Sequence, residues 1–158
     1  MNPRSIEQDA RELLAAVYRE SGQLRTNQEF SDLLQLLSPD AAARLLGIEV
    51  VYVDDLDVPQ GALTQTRLAG ILDRDAQRIS ISNRFALPEM RFTLAHELGH
   101  WRLHDHMRMH RDRPIDLQSS YRRERHEVEA DSFASAYLMP RKLVEDAIRI
   151  EELCLVQE

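Results

Sequence analysis

Pro88-Glu89-Met90-Arg91-Phe92-Thr93-Leu94-Ala95-His96-Glu97-Leu98-Gly99-His100-Trp101-Arg102-Leu103-His104 is the stretch that decides how this chain folds. Its apolar residues recur at helical spacing, and Pro88 suits a first helical turn, where a missing N–H leaves no bond unmade. The pattern predicts one central, buried helix. Histidines four apart on a helix lie one turn above each other, about 6 Å along the axis, so His96 and His100 can both reach a single metal ion. Glu97 projects beside that ion, where a carboxylate can hold and deprotonate a water molecule. Gly99 leaves room for a neighbouring segment to approach closely.

A hydrolytic zinc site keeps three protein ligands and one open position, so a third ligand is required. The candidates are His104, His106, His110, His126, Glu127, Glu129 and Asp131. His104 lies one turn further along the same helix and drifts around its axis, which places it near the mouth of the site and outside the ligand set. His106 and His110 fall in a polar run, residues 105 to about 119, which contains Pro114 and reads as a mobile loop able to bind metal only adventitiously. A helix from Ser119 or Ser120 to Met139 carries Glu127 and Asp131 on one face, with Glu129 pointing roughly opposite. This spacing favours Glu127 as the third ligand. Asp131 then accepts a hydrogen bond from the outer nitrogen of a ligating histidine and fixes its tautomer.

Upstream, Thr66 to Leu72 and Arg78 to Ser82 are strand-like runs around the polar turn 73–77, and Ile48 to Val53 is β-branched and aromatic. Residues 5–20 read as an amphipathic helix capped by Ser5, residues through Phe30 and Leu37 as a second, and Ser38-Pro39-Asp40 as the start of a third ending near Gly47. Pro140 opens a final helix. The fold expected is α+β, mostly helical, with a small antiparallel sheet preceding the His-Glu-x-x-His helix. Residues 1–47 form a helical support and 48–158 the catalytic region of one compact domain.

The chain has 158 residues and a formal charge of -7, without the basic footprint of a nucleic-acid-binding module. Its one cysteine, Cys154, excludes a cysteine-rich zinc site. No apolar run approaches the roughly 20 residues that span a bilayer, and Met1 to Glu7 has no signal-peptide character, so a cytoplasmic protein is expected. Histidine and carboxylate ligands suit zinc and also Mn2+ or Fe2+.

The strings Arg91 to His100, Glu127-Val128-Glu129-Ala130-Asp131-Ser132-Phe133-Ala134 and Leu138-Met139-Pro140 resemble the ImmA/IrrE family of metallopeptidases over roughly residues 48–141. The resemblance implies a zincin-type fold with the metal on two histidines and a glutamate, here His96, His100 and Glu127. It also implies a substrate class: helix-turn-helix transcriptional repressors, cleaved to derepress genes. Residues 1–47 are too short and acidic for the DNA-binding domain that some relatives carry there. Two alternatives stand beside the site-specific endopeptidase. One is a non-proteolytic metal-binding regulator, the other a toxin–antitoxin component that binds a repressor. Glu97 favours hydrolysis, since a structural zinc has no use for a carboxylate at the base position.

Overall fold

The computed structural model describes residues 5–20, 37–54, 56, 68–112 and 124–145. Helix α1 (Ile6–Glu20) begins where Ser5 Oγ accepts the Gln8 N–H at 3.2 Å, and it buries Ala10, Leu13, Leu14 and Val17 along one stripe. The second helical stretch expected, through Phe30, falls almost wholly outside the described residues. Helix α2 (Pro39–Leu45) ends at Gly47, whose φ of 72° lets the Gly47 and Ile48 N–H groups turn back to the carbonyls of Arg44 and Ala43. A side chain would resist that left-handed turn, which feeds the chain into strand β1 (Glu49–Val53).

Strands β2 (Gly70–Asp73) and β3 (Arg78–Ser82) pair antiparallel as the hairpin expected, its turn held by Asp73 Oδ1 accepting the Ala76 N–H at 2.9 Å. The sheet is mixed, however, and not purely antiparallel. Strand β4 (Met109–Asp112), which follows the central helix, pairs antiparallel with the free edge of β2. Strand β1 joins the other edge of the hairpin, pairing in parallel with β3, which gives the order β1-β3-β2-β4.

The central helix α3 (Leu87–Leu103) is buried without interruption from Thr93 to His100, so it has no solvated face at the site. On one side lies the sheet, with Leu72, Ile79 and Ile81 inward; on the other lies helix α4 (Arg125–Leu138), with Phe133 and Tyr137. Helix α4 starts later than expected. Glu124, its N-cap residue, is extended at φ -65° and ψ 150°, and the start expected at Ser119 or Ser120 lies outside the described residues. At the α3–α4 crossing, a Cβ on Gly99 would sit 3.0 Å from Ala130 Cα and 3.2 Å from Phe133 Cβ, so the two backbones meet there. Residues 141–145 are helical, as expected after Pro140. Helix α1 packs on α4 and closes the core. No helix among the described residues is long and apolar enough to cross a membrane.

The hairpin turn also fixes the far end of α3. Arg74 donates to the carbonyls of His100, Trp101, His104 and Met107 at 2.9–3.1 Å, with its guanidinium 4.4 Å from the centroid of the Trp101 ring. Carbonyls at a helix C-terminus lack intrahelical donors, and a cation there meets the negative end of the helix dipole.

Candidate metal centre

Four side chains from three elements converge on one point. His96 and His100 come from α3, Glu127 from α4 and His110 from β4, each offering one donor atom within 4.8 Å of the others. His96 Nε2 lies 2.9 Å from His100 Nε2 and 3.4 Å from Glu127 Oε2; His100 Nε2 is 3.6 Å and His110 Nε2 2.9 Å from Glu127 Oε1. Tetrahedral coordination at 2.0–2.1 Å separates donors by roughly 3.3 Å, so the observed spacings straddle the value a metal ion imposes. The donor set fits.

His110 was expected in a mobile loop, and the structure instead mounts it on a paired strand, where its side chain is 10% exposed. Met109–Asp112 contains no β-branched or aromatic residue, so nothing local announces a strand; the open edge of β2 recruits it. One signal in the sequence did point there: all six histidines fall between residues 96 and 126.

Glu97 is fully buried and stands beside the donor set, its carboxylate 3.1 and 3.3 Å from His110 Nδ1. Gly70 makes its place, because a Cβ there would lie 2.7 Å from Thr93 Cγ2 and 3.1 Å from Glu97 Oε1. Asp131 Oδ1 accepts from His96 Nδ1 at 2.9 Å, which turns Nε2 inward. His104 is buried behind His100, with the two Nδ1 atoms 3.0 Å apart. Its Nε2 meets Glu129 Oε2 at 3.1 Å, so Glu129, expected to face away, reaches the rear of the site through His104. His126 contacts Glu127 Oε1 through Nε2 at 3.0 Å.

Charge is arranged for a cation. Burial alone would raise the Glu127 carboxyl, but the imidazoles of His100, His110 and His96 around it outweigh burial and hold the group far below the usual carboxylate range. Burial likewise pushes His110 down, yet the carboxylates of Glu127 and Glu97 prevail and lift it to about 9. His100 is lowered, by burial first, against the pull of Glu127.

The family model described as the IrrE N-terminal-like domain, a peptidase family, matches residues 43–151. The chain belongs to this family. The matched span takes in β1, the hairpin and all three elements that carry the donor atoms. No individual curated protein matches the chain. Membership of the IrrE N-terminal-like family supports a peptidase, and the chain carries a buried His/Glu cluster that could hold a metal ion.

Proposed function

We propose that this member of the IrrE N-terminal-like family is a zinc-dependent, site-specific endopeptidase whose substrate is a helix-turn-helix transcriptional repressor. The observation that carries the reading is the buried carboxylate of Glu97 beside an inward-facing His96, His100 and Glu127. A metal ion held there would act as a Lewis acid on a peptide carbonyl and make water acidic enough to attack at neutral pH. His96 and His100 hold that ion from one helix face and Glu127 from the facing helix. Asp131 keeps His96 in the tautomer with its lone pair inward. Glu97, whose carboxylate lies beside the donor set against His110, takes the proton from the attacking water and passes it to the leaving amine. The repressor as substrate follows from the likeness to the ImmA/IrrE family.

A second reading has its own observation. His110 can supply a fourth donor, and four protein ligands would close the coordination, as in a metal-binding regulator that does no hydrolysis. The peptidase requires His110 to leave the fourth position to water. The test is to incubate the protein with the repressor encoded beside it, with zinc or manganese and then with a chelator, and to sequence any fragments. A single cut, abolished by chelator and by Glu97→Gln, is the expected result. A partner that binds tightly and stays intact under every metal condition transfers the assignment to the regulator.

A further inference from the structure

We propose that Glu129 and His104 form a polar relay that sets the tautomer of His100 and thereby prepares it to bind metal. The proposal rests on the metal reading above but concerns residues outside the donor set.

Hydrogen-bond direction along the chain Glu129–His104–His100 fixes where each proton sits. An ionised carboxylate can only accept, so the 3.1 Å contact with Glu129 Oε2 places a proton on His104 Nε2. Neutral imidazole carries one N–H, so His104 Nδ1 is left with a lone pair. That lone pair faces His100 Nδ1 at 3.0 Å in a buried setting and accepts from it. His100 then carries its proton on Nδ1 and turns the lone pair of Nε2 toward the cluster. The opposite polarity would place a proton on His100 Nε2, the atom that must be bare to ligate. Glu129 is held for this task from its other side, with Oε1 accepting from Arg125 Nε at 2.7 Å. The His104 backbone is fixed separately, by Arg74 at its carbonyl.

The two ligating histidines of α3 are therefore oriented by different devices. Asp131 acts on His96 directly, and Glu129 acts on His100 through one intervening imidazole. Together they leave the two Nε2 lone pairs converging at 2.9 Å, an unfavourable contact that a shared cation relieves. His104 and Glu129 are positioning residues: His104 touches the ligand His100, and Glu129 acts on it through His104.

The test has two arms, neither of which needs a peptide substrate. Long-range 1H–15N correlation spectra of the metal-free protein, at a pH where the imidazoles are neutral, read the tautomers directly. The expected result is Nδ1–H on His100 and Nε2–H on His104. A wild-type His100 protonated at Nε2 overturns the relay even if the protein proves to be a peptidase. In the second arm, Co2+ is titrated into wild type, Glu129→Gln, His104→Leu and His104→Asn, with folding checked by circular dichroism. Loss of an outer partner typically weakens metal binding about 10- to 100-fold, and that is expected for His104→Leu. Glu129→Gln, at a part-exposed position that folding tolerates, is expected to bind more weakly than wild type. His104→Asn should recover affinity, because its amide oxygen can stand where Nδ1 stands and accept from His100. Wild-type affinity in both Glu129→Gln and His104→Leu, or no recovery in a folded His104→Asn, overturns the proposal. Failure of wild type itself to bind Co2+ or zinc counts against the metal reading and leaves the spectral arm to judge the relay.

Discussion

His96 and Glu97 are adjacent in sequence, yet their losses are expected to differ in kind. His96→Ala and His100→Ala each remove a donor from a cluster held within 4.8 Å, so metal content and peptide cleavage should disappear together. Glu97→Gln keeps the size and burial of the side chain but cannot take a proton, so metal should stay while cleavage falls by about 10²- to 10⁴-fold. Metal analysis of the purified variants beside a cleavage assay separates the two. Unchanged metal in both histidine variants, or near wild-type cleavage by Glu97→Gln, would remove these assignments. Gly70→Ala belongs with them: its Cβ would press on Thr93 and Glu97, so metal should bind normally while cleavage drops. The spacing of His96, Glu97 and His100 was legible in sequence because one helix fixes all three. His110 and Glu129 were not, since each enters the site by a tertiary event that local spacing does not encode.

At the scale of elements, Gly99 and Arg74 decide how α3 is seated. Gly99→Ala places a methyl 3.0 Å from the Ala130 backbone, which no side-chain rotation can relieve, so the helices must separate. Overpacking of this sort costs about 1–3 kcal/mol. Arg74→Ala removes the guanidinium shared by four carbonyls at and just beyond the C-terminal end of α3; hydrogen bonds to a charged group contribute about 1.5–3 kcal/mol, and a loss of that order is expected. Urea unfolding followed by circular dichroism measures both, and wild-type midpoints would show that α3 is seated by other contacts. The sequence made α1, the hairpin and α3 readable because caps and apolar periodicity are local, with Ser5, Pro88 and the turn at Asp73 as the signals. The edge strand at Met109 and the parallel pairing of β1 depend on which sheet edges remain open after the hairpin forms, a property of the assembled sheet.

At the scale of the whole molecule, the donor cluster ties together elements that packing and side-chain hydrogen bonds already bring into contact. His96 and His100 belong to the central helix, His110 to the sheet edge and Glu127 to the facing helix, so an ion bound to them links the sheet layer to the helical layer through α3. Binding to the folded state but not the unfolded one stabilises by RT ln(1 + [L]/Kd), about 4 kcal/mol when the free metal is 1,000 times its Kd. For a chain of 158 residues, about 1 kcal/mol moves Tm by roughly 2–4 °C, so removing the metal should lower Tm by about 8–16 °C. The structural role and the catalytic role then come apart in one thermal series with and without chelator. Glu97→Gln should show the full chelator-sensitive shift, because its carboxamide leaves the donor set intact. His100→Ala should start from a lower Tm and show almost no shift. His110→Gln distinguishes three ligands from four: a shift close to wild type means that His96, His100 and Glu127 suffice and the fourth position is open, whereas loss of the shift means that His110 closes the coordination. A Tm indifferent to chelator in the wild-type protein would show that the cluster holds no tightly bound ion, and the metallopeptidase reading would fall with it.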